Sequence, residues 1–144
     1  MSILDAAQEF SDAQSMAASS AAVTQSTNVI DTTEGKTIED EWNAAIDNQI
    51  GNSVWNLMVG TAINATTVIT AKLMTHSAET SIASGTEIAQ IVLPAAAAAG
   101  TKRSVEIMPG QDVAERYLGV TYTVSGAKCT AGAVDSWLGA DRET

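Results

Sequence analysis

The chain has 144 residues, seven Lys and Arg against 17 Asp and Glu for a net charge of −10, and only 4% aromatic residues. A domain of that length buries roughly 68–70% of its unfolded surface and needs no covalent staple. So acidic a chain repels phosphates rather than displacing their counterions, which argues against a nucleic-acid partner. The one cysteine, Cys129, excludes an internal disulfide. No run reaches 18 apolar residues and the N-terminus lacks a basic flank and apolar core, so membrane insertion and export are not expected. Synthesis in a cytoplasm fits best.

Residues 1–27 carry Ala, Ser and Gln with anchors only at Ile3, Leu4, Phe10, Met16 and Val23. Alanine propensity would permit a helix over Ile3 to Met16, with Ser2 as N-cap, but its apolar stripe is thin. The Ser/Thr clustering from Ser15 to Thr27 favours an extended N-terminal arm ordered by lying on a surface, with a frayed terminus as the plain alternative. The domain proper is then expected over 28–144.

Asn28-Val29-Ile30 reads as a short strand ended by the turn cluster Asp31 to Gly35. Residues 34–53 hold Glu39, Asp40 and Glu41 before Trp42, and read as an acidic loop with a short helical turn. Alternation then marks strands over 54–60, where Trp55, Leu57 and Val59 share a face, and over 66–74, with Asn64 in the turn between them. The stretch 76–87 is polar and turn-like. Ile88 to Leu93 is a short apolar run stopped by Pro94, consistent with a buried strand. The alanines of 94–100 are too few to nucleate a helix and read as a loop. Alternation resumes over 104–108, and Pro109-Gly110 turns the chain toward its last segment.

From Arg116 to Leu138 the pattern is clearest. Leu118, Val120, Tyr122 and Val124 fall on one face of a half-buried strand, with Tyr117, Gly119, Thr121 and Thr123 on the other. Ser125 to Lys128 breaks the pattern and Thr130 to Trp137 resumes it, which predicts a β-hairpin closing the domain. The small residues Ala131, Gly132 and Ala133 admit close approach by another backbone or a large neighbour, and mark that strand as a candidate edge. The count comes to about eight short strands, the spacing of an all-β sandwich or barrel.

Residues with chemistry are sparse. His76, with Glu79 three positions on, falls short of the three or four ligands of a zinc site. Cys129 has no histidine beside it in sequence to act as base. Glu39, Asp40 and Glu41 lack the ligand rhythm of a calcium loop, the glycines never form a phosphate-cradling loop, and Ser125 and Ser136 lack the glycine pair of a nucleophile elbow. The reading is therefore not an enzyme, with no catalytic residue, no metal and no cofactor. Trp55 reads as core, while Trp42 and Trp137 border acidic or polar stretches and are candidate interface anchors.

Two stretches at the ends of the chain, ILDAAQEFSDAQ at 3–14 with STNVID at 26–31 and ERYLGVTYTVSG at 115–126 with TAGAVDSWL at 130–138, resemble the capsid cement proteins of short-tailed bacteriophages, of the type described for a Bordetella phage. The resemblance implies an all-β, jelly-roll-like β-sandwich with an extended N-terminal arm. It also implies a structural protein of the virion, placed on the outer capsid surface, that clamps neighbouring major capsid protein subunits and assembles with copies of itself, a homodimer ahead of a trimer. Between about Thr32 and Gly100 only the pattern matches. Ile3, Leu4, Phe10, Trp42 and Trp137 are the candidate capsid or self-association contacts. The competing class is a β-sandwich module presenting loops 34–53 and 76–87 to a glycan or host surface; of these loops only the first offers an aromatic side chain, Trp42.

Overall fold

The computed structural model describes residues 9–17, 23–31, 53–64, 67–107, 117–126 and 129–139. Their strands are β1 (Glu9–Ser15), β2 (Val23–Gln25), β3 (Ile30–Asp31), β4 (Ser53–Thr61), β5 (Thr67–His76), β6 (Thr86–Leu93), β7 (Lys102–Ile107), β8 (Tyr117–Gly126) and β9 (Ala133–Gly139). One sheet has the order β1-β9-β4-β7; the other has the order β2-β8-β5-β6, with the two-residue β3 also pairing β8. Every pairing is antiparallel. Each layer draws strands from both ends and the middle of the chain, the interleaved order of a jelly-roll sandwich. The all-β expectation holds: four strands build one layer, and four strands with the two-residue β3 build the other.

The segments that alternate in sequence are strands because alternation lets each give one face to a shared core. Trp55, Leu57 and Val59 of β4 meet Leu118, Val120, Tyr122 and Val124 of β8 in one cluster with Phe10, Ile69, Leu73, Leu93, Ile107, Val134 and Leu138. Phe10, Trp55, Leu57, Val59, Ile69, Leu73, Leu93, Val120, Tyr122 and Val134 have no exposed surface at all. Three of the six aromatic residues, Phe10, Trp55 and Tyr122, lie in this cluster, where each ring replaces several smaller side chains.

Three expectations need correction. The last two strands are not a hairpin: β8 lies between β2 and β5 in one sheet, and β9 lies between β1 and β4 in the other. The residues between Gly126 and Ala133 are enough chain to cross the roughly 10 Å between packed sheets, so the turn residues there mark a crossover. Nor is β9 an edge. Its small neighbours admit close approach within the molecule: a Cβ on Gly132, whose φ is 135°, would run into the Ile63 side chain, and Gly60 lies under Asp135. Lastly, β6 is an edge strand rather than a buried one, with Ile91 and Leu93 buried and Val92 49% exposed.

Asn64 pins the crossover. Its Oδ1 accepts from the backbone N–H groups of Thr130 (3.2 Å) and Ala131 (2.7 Å), and its Nδ2 donates to Thr130 Oγ1 at 2.6 Å. Cys129 is buried beneath it and donates to Ala131 O at 3.0 Å, a structural thiol. The alanine loop forms no helix; Ile63 N–H donates to Ala97 O (2.9 Å) and Gly100 N–H to Val59 O (2.7 Å), so it closes over the end of β4. The polar stretch 76–87 contains a 3₁₀ segment, Glu79–Ser84, whose Ile82 is fully buried against Gly119.

Candidate interaction surfaces

A sandwich offers partners its two outer faces, its open sheet edges and its end loops, and the described residues distribute chemistry unevenly among them. On the outer face of the β1-β9-β4-β7 sheet, one row runs Glu9, Trp137, Asn56 and Ser104 across all four strands. Trp137 is pushed to this face because Val134, Ser136 and Leu138 on alternate positions point into the sandwich. Lys102 Nζ stands 5.7 Å from its ring centroid, a cation–π contact, and Ser104 Oγ donates to Asn56 Oδ1 at 2.7 Å. Trp137 is 5% exposed, and its indole N–H has no acceptor among the described residues.

The same face is acidic at its β1 side. Ala13, at φ 47°, occupies a bulge in β1 where Ser11 pairs with Ser136 but Gln14 already pairs with Val134. The bulge turns the Ala13 N–H to Asp135 Oδ1 at 2.6 Å. Burial, with Asp12 and Asp135 adding like charge, pushes the Glu9 carboxyl above the usual carboxylate range.

Between the sheets on this side lies a polar seam. Ser11 Oγ is 2.8 Å from Tyr122 Oη and donates to Gln14 Oε1 at 2.6 Å. Gln14 Nε2 donates to Gln25 O (2.9 Å), Thr27 N–H donates to Gln14 Oε1 (3.1 Å), and Asn28 N–H donates to Phe10 O (2.9 Å). Trp55 Nε1 donates to Ser136 Oγ at 2.8 Å. Burial pushes the Tyr122 phenol up to about 12, despite hydrogen bonds with Ser11 and Ser136 that act the other way. The seam closes the β1/β2 side of the sandwich.

The candidate contacts therefore separate. Phe10 is part of the core of its own domain, because β1 is hydrogen-bonded along β9. Trp137 lies on an outer face, packed between Lys102 and its cross-strand neighbours. Ile3, Leu4 and Trp42 lie outside the described residues, as does most of 34–53. Among the described residues the large apolar side chains that stand exposed are Val23, which the sequence reads as an anchor, and Val92, which sequence reasoning did not single out. They end one row, Val23, Thr123, Thr70 and Val92, across the outer face of the second sheet. For Val92 the signal was the period-2 rule itself, which sends it opposite to Ile91 and Leu93.

His76 caps its own turn, Nδ1 accepting from Ala78 N–H at 2.8 Å. Among the described residues no group of His, Cys, Asp and Glu could hold a metal ion, and no helix is long and apolar enough to cross a membrane.

This geometry defines a jelly-roll sandwich whose functional candidates are surfaces. Across residues 10–138 the chain matches the model of the Bbp16 family, and it belongs to that family, which is one of phage proteins. No curated protein matches it.

Proposed function

We propose that the chain is a capsid cement protein: it binds the outer surface of a phage head, clamps neighbouring major capsid protein subunits and acts as a homodimer. The observation that carries this reading is membership of a phage protein family over residues 10–138. The sandwich supports it, because a two-layer domain offers two outer sheet faces to many small contacts repeated by symmetry. Avidity over such a lattice offsets modest affinity at each contact. The segment before β1, with Ile3 and Leu4, would supply anchors, and Trp137 with Lys102 a patch on the outer face.

The test is to purify virions and quantify the chain by mass spectrometry, then to strip it from the heads, add it back and challenge them with heat. Stoichiometric copies and heads that survive a higher temperature after add-back are expected. A chain absent from washed virions refutes the reading. A variant lacking residues 2–8, which keeps β1, should bind heads more weakly.

A further inference from the structure

Strand β1 is held in the sandwich differently from the strands at its centre. Strand β8 runs along β5 for ten consecutive pairs, Gly126 to Tyr117 against Thr67 to His76, without a slip. Strand β1 keeps four pairs with β9, and its register moves between Glu9 and Ser11 and again between Ser11 and Gln14. Among the described residues β9 is its only ladder partner. At the second irregularity Ala13 takes φ 47°, a left-handed conformation that a residue with a Cβ adopts at a cost. Its apolar grip is narrow as well. Phe10 is the one buried apolar residue within β1, with Met16 just past its end, whereas β8 buries Leu118, Val120, Tyr122 and Val124.

The rest of the hold is polar, and the local charges oppose it. Phe10 O accepts from Asn28 N–H, Gln14 Oε1 accepts from Thr27 N–H, and Met16 N–H donates to Gly132 O. Glu9 meets like charge from Asp12 on its own strand and from Asp135 on β9. Strand β2 carries no charge, β4 places Asn56 in the Glu9 row, and β7 brings Glu106 and Lys102 to that face, with the Lys102 Nζ drawn over the Trp137 ring. Among the described residues no cation forms an ion pair with Glu9, Asp12 or Asp135.

We propose that β1 is a strap: it lifts off β9 as a unit while the other described strands stay folded, and the carboxylates on and beside it set how often it lifts. Few buried apolar contacts, a broken ladder and uncompensated like charge are the features of a segment that opens below the global unfolding free energy. Lifting uncovers the β9 edge and the seat of Phe10. Burial, then Asp12 and Asp135, hold the Glu9 carboxyl above the usual carboxylate range. Closure is therefore at full strength below the open-state value and weakens as pH rises through the closed-state one. The strap is a property of the fold and stands or falls apart from any binding to heads.

Three backbone N–H groups distinguish a local lift from global unfolding. Asn28 donates to Phe10 O and Met16 to Gly132 O, so both bonds break when β1 leaves; Ser26 donates to Val120 O in the other sheet. Residue-resolved hydrogen exchange of the full chain, corrected for intrinsic rates and repeated in sub-denaturing urea, reads all three. Asn28 and Met16 should exchange together, at least about a hundredfold faster than Ser26 and with little urea dependence, while Ser26 follows the global slope. Glu9→Gln should slow Asn28 and Met16 at neutral pH and leave them unchanged in acid. Ile91→Val, on β6 in the other sheet, should speed Ser26 by about two- to tenfold and leave Asn28 and Met16 as they were. One common rate and urea slope for all three groups overturns the strap. So does an Ile91→Val variant that speeds them alike, or a Glu9→Gln variant in which Asn28 and Met16 do not slow together at neutral pH.

Discussion

Glu9 and Tyr122 show how single side chains tie charge to stability in this sandwich. Glu9 is held above the usual carboxylate range by burial and by Asp12 and Asp135, so the folded state binds its proton more tightly than the unfolded chain does. The sign follows: its ionisation costs stability, and the cost appears as pH rises through the folded value and is absent well below the unfolded one. Glu9→Gln should therefore raise the urea midpoint at neutral pH and leave it unchanged in acid, an expectation undone if the gain is the same at both. Tyr122 works at the other end of the scale. With its phenol raised to about 12 by burial, the unfolded chain ionises first, and stability falls as pH climbs from about 10. Tyr122→Phe should remove that alkaline loss while costing about 0.5–1.5 kcal/mol near neutrality for the Ser11 hydrogen bond. An unfolding midpoint with the same alkaline slope in both proteins would contradict it.

Among the elements, the 3₁₀ segment Glu79–Ser84 is the one whose place depends on a single glycine. Gly119 lies on the outer face of β8, and a Cβ there would stand 2.7 Å from Ile82 Cγ2, so the segment settles on the sheet only because β8 is bare at that point. Gly119→Ala should destabilise by about 1–3 kcal/mol through overpacking. In an Ile82→Ala background, where the colliding methyls are gone, most of that cost should vanish. Urea unfolding of the four proteins of this double-mutant cycle measures the coupling, and simple additivity would show that the two residues do not meet. The sequence placed Gly119 on the outer face correctly but gave no sign of its cover. A lone isoleucine in a polar stretch has no periodicity to announce where it goes.

For the whole molecule, β1 matters more than its weak pattern implies. It pairs with β9, carries fully buried Phe10 into the core and anchors the seam that closes one side. Deleting residues 2–14 should therefore lower stability by at least the roughly 3–5 kcal/mol of removing a buried phenylalanine. Urea unfolding of the truncated chain checks this, and a midpoint close to that of the full chain would mean that β1 is dispensable.

The sequence by itself determined the all-β class and most of the strands, and it placed Leu118, Val120, Tyr122 and Val124 together on a buried face. Period-2 alternation follows from local backbone geometry, and burial of one face needs no knowledge of which strand is next door. It also determined where strands stop, at Pro94 and around Asn64. Only the tertiary structure decided which strands are neighbours. A hairpin and a crossover between sheets use the same turn residues, and here β8 pairs along its length with β5 in one sheet while β9 pairs with β4 in the other. The same holds for β6, which is outermost in its sheet among the described residues: which strands flank it is decided by the fold, and the residues of the strand itself carry no mark of it.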